Sequence, residues 1–239
     1  MTGKISFLSG GQQIEGTLIT PKVMDGKKPG VVFFHGMTSS EDGYIPIAEK
    51  LAESGIVGMT LSIRGHGNSE GNFDDITVAD GAEDGLNAYD FFARYDFIDK
   101  NRIGLCGASL GAVISTMVVK QRAVQSLVLR VPATYTDEMM GMTYREIMLD
   151  EEKIFSKISN IAETPAIRAI SEFTGSVLII TSEKDVVIPV IIPREYFLKA
   201  QKAKRKQQIE IPGATHNLTD NVWRQQFIDE TVKWFVETL

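Results

Sequence analysis

A serine between two glycines is the first feature of this sequence that could carry chemistry. Residues 103 to 112 read "IGLCGASLGA", in which Gly107 and Gly111 stand two positions before and after Ser109. An apolar, strand-like run precedes the serine and a small-residue, helix-like run follows it, and a sharp turn between strand and helix exposes a serine at a sheet edge. The glycines fit such a turn because side chains there would collide with neighbouring backbone. The three residues alone would also fit a serine between two flexible glycines, but the flanking strand-like and helix-like runs favour Ser109 as a nucleophile on a strained turn.

A serine hydroxyl needs an adjacent base, usually a histidine, before it can act as a nucleophile. The chain contains three histidines, His35, His66 and His216. Only His216 follows Ser109, and it lies in the loop-like stretch "IPGATHNL" between the last apolar run and the C-terminal helical pattern. Because a loop at the carboxyl end of a strand can approach the serine in space, we expect His216 to be the base.

The histidine of such a pair is oriented by a carboxylate. Between Ser109 and His216 most acidic residues fall in helical patterns or in a long insertion, whereas Asp185 comes directly after the strand-like run "GSVLIITSE". That position places Asp185 at the same predicted sheet edge, and we expect it to be the orienting acid. Glu183 is its nearest rival, because its longer side chain could reach the same histidine.

Eight short β-rich runs alternate with helical patterns, which is typical of an α/β fold. The first two runs are separated by "SGGQ" and predict a hairpin. From the third run onward, helix-length stretches separate the runs, which predicts parallel strands covered by helices on both faces. The runs are "KISFL", "QIEGTLIT", "GVVFFHG", "IVGMTLSI", "RIGLCG", "SLVLRV", "GSVLIITSE" and "QQIEIPG", and helices are predicted near 44–54, 77–95, 109–121, 192–204 and 221–238.

One long stretch interrupts this alternation. About 43 residues separate the run that ends at Val131 from the run that begins at Gly175, more than a simple crossover needs. We expect a helical cap at 133–174, inserted into a single domain that spans residues 1–239. Methionine is flexible and can line an apolar pocket or fill an irregular core. The cap side chains that we expect in a substrate pocket are Met139, Met140, Tyr144 and Met148.

Composition limits the class of protein. The 239 residues are 43% hydrophobic and carry a formal net charge of -6, which argues against an electrostatic nucleic-acid binder. No apolar stretch reaches the length of a membrane span, and the N-terminal residues lack a signal-peptide core. The single cysteine, Cys106, lies in an apolar run and cannot form a disulfide within the chain. We therefore expect a cytoplasmic protein without nucleic-acid or membrane partners. The oligomeric state is open, a homodimer included.

Five motifs in this order, "HGMTSS", "RGHGNSEG", "GASLG", "SEKDVVIP" and "GATHN", resemble the α/β-hydrolase superfamily. Within it they resemble the compact serine esterases that include feruloyl (cinnamoyl) esterases and relatives of acylaminoacyl peptidases. The resemblance runs from Ile14 to the C-terminus, excluding the cap. It implies an α/β-hydrolase fold with a mostly parallel sheet of about eight strands and helices on both faces. It also implies an oxyanion hole formed by the backbone N–H groups of Met37 and Leu110, with no metal or organic cofactor.

Two positions depart from the pattern of these relatives. Ser62 stands where many of them carry aspartate in the motif around Arg64, so we expect Arg64 to lack a local anionic partner. Ser182 stands three residues before the expected acid, where relatives often carry glycine. In the resemblance His35 and His66 sit beside the site without transferring protons, so we expect them to support its loops.

Together these residues predict hydrolysis by acyl transfer through a covalent acyl-enzyme. The expected substrate is a small carboxylic ester with a short acyl group or an aryl group of the cinnamoyl type. A thioesterase and an acyl-peptide hydrolase are alternatives that use the same triad, and a non-catalytic ligand-binding protein on this fold is a third. A ligand with a carboxylate would need a cationic anchor, and the sequence leaves Arg64, Arg130 and Arg145 open for that role.

Overall fold

Each of the eight apolar runs forms a strand. The computed structural model describes the backbone of residues 1–239 and all side chains except those of residues 151 and 152. Its strands are β1 (Thr2–Ser9), β2 (Gln12–Ile19), β3 (Lys28–Phe34), β4 (Val57–Leu61), β5 (Ile98–Ala108), β6 (Ser126–Arg130), β7 (Ser176–Ser182) and β8 (Arg205–Ile211). Its α-helices are α1 (Ile45–Glu53), α2 (Val78–Phe92), α3 (Leu110–Val119), α4 (Tyr144–Leu149), α5 (Glu151–Ile154), α6 (Pro165–Glu172), α7 (Ile191–Lys199) and α8 (Asn221–Thr238). Short 3-10 helices lie at Glu41–Tyr44, Met139–Gly141, Phe155–Lys157 and Ile161–Glu163.

The eight strands form one mixed sheet in the order β1-β2-β4-β3-β5-β6-β7-β8. The predicted hairpin joins β1 to β2, and its turn contains Gly10 and Gly11, both at positive φ (54° and 79°). β2 also runs antiparallel to β4, whereas all pairs from β4 to β8 are parallel. The predicted fold class is therefore confirmed, and the carboxyl ends of β3 to β8 meet at one edge of the sheet.

Both faces of the sheet are covered, which explains the continuous apolar character of its central strands. In β3, Val32 and Phe34 pack on the face covered by α2, α3, α6 and α7, whereas Val31 and Phe33 pack on the face covered by α1 and α8. All four side chains are fully buried. Within the described residues, no helix combines the length and the apolar character needed to cross a bilayer.

Arg64 corrects one expectation from the sequence, because it has close anionic partners. Its Nε lies 2.6 Å from Asp84 Oδ1 and its Nη2 lies 2.6 Å from Glu83 Oε2. Asp84 is fully buried and also accepts the backbone N–H of Arg64 (2.9 Å). Helix α2 therefore supplies the anion that the motif around Arg64 lacks, a pairing that depends on how α2 packs and not on neighbouring sequence.

The long stretch between β6 and β7 has two parts. Its final helix, α6, packs against α3 and α7 and so forms part of the helical layer over the sheet. The earlier part is tied to the start of α2: the Tyr144 amide donates to the Ile76 carbonyl (2.8 Å) and the Val78 amide donates to the Met142 carbonyl (3.1 Å). The single-domain organisation and the cap limits 133–174 stay predictions.

Candidate active site

Ser109 occupies a strained turn between β5 and α3. Its φ of 52° and ψ of -113° are unusual for a residue with a side chain, a conformation that costs on the order of 1–3 kcal/mol and that neighbouring structure must impose. A Cβ atom at Gly107 would overlap the backbone carbonyl of Gly111, and one at Gly111 would overlap the carbonyl of Phe34. Both glycines are therefore required sterically, and the turn brings the end of β5 against the loop that follows β3.

Asp185 and His216 form a hydrogen-bonded pair at the same sheet edge. Asp185 follows β7, and its Oδ1 accepts the backbone N–H groups of Val187 (2.8 Å) and Ile188 (2.9 Å). His216 follows β8, and its Nδ1 lies 2.8 Å from Asp185 Oδ2. The two side chains are only 8% and 13% exposed, so the pair is shielded from competing water. This arrangement fixes the imidazole ring and leaves its Nε2 for proton transfer.

The charge of Asp185 follows from its contacts. Burial alone would raise the pKa of Asp185, but the hydrogen bond and charge of His216 and the amides of Ile188 and Val187 lower that pKa below its ordinary value. The carboxylate is therefore ionised at neutral pH and can stabilise a protonated imidazole. The rival acid, Glu183, accepts the Gly213 amide instead (2.5 Å).

Ser109 and His216 border one cavity of about 380 Å³, together with Met37 and Val187. This volume suits a small ligand. A larger hollow of about 590 Å³ lies beside the β1–β2 hairpin and borders none of these four residues. Among the described residues, no group of three or more His, Cys, Asp or Glu side chains could hold a metal ion.

Two backbone amides beside the serine are available as hydrogen-bond donors. A Cβ atom placed on Gly36 would lie 3.6 Å from the Ser109 Cβ, so the loop after β3 packs directly against the serine turn. In the described part of the chain, the amides of Met37 and Leu110 have no protein acceptor. Leu110 is also the first residue of α3, where the helix dipole favours negative charge. Such donors can hold the oxyanion of a tetrahedral intermediate.

His35 and His66 contact the backbone of these loops. Both ring nitrogens of His66 face carbonyl oxygens, Nε2 that of Met37 (2.6 Å) and Nδ1 that of Arg64 (3.0 Å). In the tautomer with the proton on Nε2, the ring makes the shorter bond and donates to Met37. The His35 Nε2 accepts the Ile63 amide (3.1 Å). The two ring centroids are 4.8 Å apart. Burial, with a smaller effect of His66, lowers the pKa of His35 to about 3, so His35 is neutral near pH 7.

Only one of the four side chains expected in the substrate pocket borders the cavity. That residue is Met148, which is 37% exposed. Met139 and Tyr144 are 7% and 0% exposed and belong to the hydrophobic core, and Met140 packs against the same core. The Tyr144 ring packs edge-on against His66 (5.4 Å between centroids). The placement of these three residues does not support their expected role, because their side chains lie in or against the hydrophobic core and do not border the cavity.

Several cavity residues were not identified from the sequence. Arg130, left open above, borders the cavity, whereas Arg64 pairs with Asp84. Arg145 is exposed on α4 and does not border the cavity. Arg224, in the first turn of α8, also borders it and has no sequence signal that would have singled it out. For Arg130 the available signal was a charged residue at the end of an otherwise apolar run, "SLVLRV".

The mostly parallel sheet with a serine on a strained turn after its central strand defines an α/β-hydrolase. More narrowly, the chain belongs to the family described as "Serine aminopeptidase, S33", whose model matches residues 26–166, more than half of the chain. The matched segment contains Ser109 and ends before Asp185 and His216.

The chain is also similar to individual proteins. It is 25% identical over 223 residues to the uncharacterised protein Rv2307c of Mycobacterium tuberculosis (strain ATCC 25618 / H37Rv), which covers 91% of this chain and 73% of the relative. The structure of Est1E from Butyrivibrio proteoclasticus with bound ferulic acid has a TM-score of 0.78 and 17% identity, with 98% of both chains covered. Dienelactone hydrolase from Anabaena variabilis ATCC 29413 has a TM-score of 0.72 and 18% identity, covering 100% of this chain and 98% of that one. At these identities the two structures support the fold alone.

Proposed function

We propose that the protein hydrolyses small carboxylic esters, with short acyl groups or aryl groups of the cinnamoyl type, through Ser109, His216 and Asp185. The observation that carries the proposal is the 2.8 Å hydrogen bond between His216 Nδ1 and the buried Asp185 carboxylate, next to a cavity that Ser109 also borders. Membership of a serine hydrolase family and the fold shared with Est1E, whose structure contains ferulic acid, support it.

The reaction has two acyl-transfer steps. His216 Nε2 takes the proton of Ser109 as the serine oxygen attacks the ester carbonyl, and the amides of Met37 and Leu110 donate to the oxyanion. His216 then donates its proton to the departing alcohol oxygen, which leaves an acyl group on Ser109. In the second step His216 takes a proton from water, the hydroxide attacks the acyl carbonyl, and the serine oxygen leaves with that proton. Asp185 remains ionised throughout.

The nucleophile is tested by removing its hydroxyl. We expect a fluorophosphonate probe to label the wild-type protein once per chain and to leave Ser109→Ala unlabelled. The same substitution should lower kcat for a 4-nitrophenyl ester by about 10⁴- to 10⁶-fold, because triad members act as a unit. Ser156→Ala, at an exposed serine, is the control and should behave like the wild type. Hydrolysis by Ser109→Ala within tenfold of the wild type would overturn the assignment.

The bond cleaved is tested with a substrate panel. Hydrolysis of an acyl-peptide bond is the second candidate, because the family is described as that of a serine aminopeptidase. We expect kcat/KM to be highest for short-chain or aryl carboxylic esters when these are compared with one thioester and one acyl-peptide of the same acyl group. A higher kcat/KM for the acyl-peptide than for the esters would show that the protein is a peptide hydrolase and would overturn the proposed ester specificity.

A further inference from the structure

Two arginines border the candidate active-site cavity, whereas no carboxylate side chain among the described residues does so. Arg130 ends β6 beside the serine turn, where its carbonyl oxygen accepts the Ser109 amide (3.0 Å). Arg224 lies in α8, the helix that follows the His216 loop. Guanidinium groups stay protonated in proteins, so these residues give the cavity wall a fixed positive charge.

Among the described residues, no carboxylate forms an ion pair with the buried guanidinium of Arg130. Arg130 is 9% exposed, and in the described part of the chain its side chain makes one hydrogen bond, from Nη1 to the His216 carbonyl oxygen (2.7 Å). Its guanidinium carbon lies 5.6 Å from the centroid of the Phe227 ring. Burial lowers the pKa of Arg130 and outweighs the opposing electrostatic effect of Tyr44, Asp185 and Cys106, so the surroundings as a whole disfavour the charge. The nearby Asp185 carboxylate is hydrogen-bonded to His216 and not to Arg130. A buried charge of this kind is stabilised when an anion pairs with it.

Within the part of the chain that the structure describes, the Arg224 side chain likewise donates only to neutral oxygens. Its Nη1 lies 3.1 Å from Asn221 Oδ1, and its Nη2 lies 3.4 Å from the Leu218 carbonyl oxygen. Several other arginines of this chain pair with carboxylates, among them Arg64 with Asp84, Arg122 with Asp90 and Arg168 with Asp137. The two cavity arginines therefore have N–H donors and a positive charge that no carboxylate of the described residues pairs with, unlike these other arginines.

The net charge of the whole chain is opposite in sign to that of the two cavity arginines. With a formal net charge of -6, the protein as a whole repels anions, so an anionic ligand would be attracted only by a local group of cations. Bracing the His216 loop accounts for one N–H donor of Arg130, and it accounts for neither its remaining donors nor Arg224. A carboxylate matches both groups, because guanidinium N–H groups bind carboxylate oxygens in pairs.

We propose that Arg130 and Arg224 bind a carboxylate of the substrate, so that the substrate class is a carboxylic ester that also carries an ionised carboxylate. The inference rests on the proposed ester hydrolysis at Ser109. The carboxylate lies on either the acyl side or the alcohol side of the scissile bond, and the two sides are separated by experiment.

Two pairs of esters test the proposal. Mono-4-nitrophenyl adipate and 4-nitrophenyl hexanoate differ by a carboxylate on the acyl side, and 3-acetoxybenzoate and its methyl ester differ by one on the alcohol side. In at least one pair we expect the wild type to prefer the charged ester. Arg130→Gln and Arg224→Gln should lower the charged-to-neutral ratio of kcat/KM by about tenfold to a hundredfold. Arg130→Lys should recover part of the ratio.

The ratio separates recognition from damage to the catalytic groups, because a general loss of activity affects both esters of a pair. Arg145→Gln is the matched control, since it removes the same charge from an exposed position that does not border the cavity. The control should keep the wild-type ratio. If the wild type prefers neither charged ester, or if the ratio in Arg130→Gln and Arg224→Gln equals that in Arg145→Gln, the carboxylate site is overturned while ester hydrolysis stands.

Binding provides a readout that does not need catalysis. Adipate should raise the Tm of the wild type and of Arg145→Gln, and should not raise that of Arg130→Gln or Arg224→Gln. If no ester is hydrolysed but adipate binding depends on the two arginines, the proposed function fails and the anion site stands. If adipate raises the Tm of none or of all four proteins equally, the anion site is overturned.

Discussion

At the scale of single residues, the two candidates for the acid of the proposed triad differ in the hydrogen bonds that their carboxylates accept. Asp185 accepts two backbone amides on one oxygen and the His216 ring on the other. Glu183 lies two residues earlier and is bound to the amide of Gly213. Its extra methylene gives it reach, but its carboxylate is directed to a different loop atom. The geometry thus favours Asp185 as the group that holds the imidazole.

Replacing each carboxylate by its amide tests this choice. Asp185→Asn should lower kcat for a 4-nitrophenyl ester by about 10⁴-fold, because an amide no longer holds the Nδ1–H tautomer of His216. Glu183→Gln is the matched control and should change kcat by less than about threefold, as expected for a residue outside the triad. Steady-state kinetics of the two variants decide between them. A larger loss in Glu183→Gln would show that the acid has been misassigned.

The candidate triad residues were found from the sequence because each follows a recognisable strand. Ser109, Asp185 and His216 come after apolar runs, and the carboxyl ends of parallel strands lie at one edge. The direction in which a side chain points could not be predicted from the sequence in the same way. A charged residue at the end of an apolar run marks Arg130, but the run does not show that its guanidinium borders the cavity. The partner of Arg64 is on another element, some twenty residues away, and is brought close only by packing.

At the scale of elements, the loop after β3 depends on a second loop for its position. His66 follows β4, and its ring donates to the Met37 carbonyl oxygen (2.6 Å) on the loop that carries a proposed oxyanion donor. The same ring packs edge-on against Phe73 and Tyr144. We therefore expect His66 to be a positioning residue that acts on the reaction through the backbone of Met37.

Removing this donor should affect the transition state more than substrate binding. His66→Phe keeps an aromatic ring in the same packing but cannot donate to Met37. We expect kcat to fall by about tenfold to a hundredfold with KM changed by less than about threefold, because a displaced oxyanion donor loses transition-state stabilisation. His66→Gln retains a donor and should recover part of kcat. A kcat for His66→Phe within about twofold of the wild type would show that His66 does not position the Met37 backbone for the reaction.

The stretch between β6 and β7 yields a second prediction for an element. Met139 is buried in the core, whereas Met148 borders the cavity. Met139→Ala should lower the free energy of unfolding by about 2 to 4 kcal/mol, as other large-to-small core changes do, and leave kcat/KM nearly unchanged. Met148→Ala should do the reverse, altering the preference for acyl-chain length with little loss of stability. Urea unfolding and a series of esters measure both quantities, and the opposite pattern would contradict the placement.

Sequence patterns could not separate these two methionines. Helical spacing shows that residues share a face, and a methionine-rich face suits a core as well as a pocket. Tyr144 shows that tertiary contacts decide whether such a face lies in the core or in a pocket. Its backbone amide is hydrogen-bonded to Ile76, and its ring packs beside His66 and Phe73. This face of the stretch is therefore buried in the core. The strands were easier to predict, because a fully buried parallel strand needs a continuous apolar run.

At the scale of the whole molecule, the cavity at the sheet edge is bordered by two arginines and, among the described residues, by no carboxylate side chain. The loops after β3, β5, β7 and β8 bring Met37, Ser109, Asp185 and His216 to one end of the fold, and β6 ends there with Arg130. The chain as a whole carries a formal net charge of -6. A cationic cavity in an acidic protein selects ligands by local contacts, so the charged-ester preference should decline as salt screens the exposed Arg224.

Stability of the whole molecule should depend on pH through His35, which is fully buried. Its pKa is lowered to about 3, whereas an unfolded histidine titrates near 6.5, so only the unfolded chain gains this proton between those values. The stabilising contribution is therefore complete well above pH 6.5 and is lost as pH falls through and below that value, by up to about 1.4 kcal/mol per pH unit. Urea unfolding from pH 7 to 5 should show this slope, and His35→Gln should flatten it. An equal slope in the variant would assign the dependence to other groups.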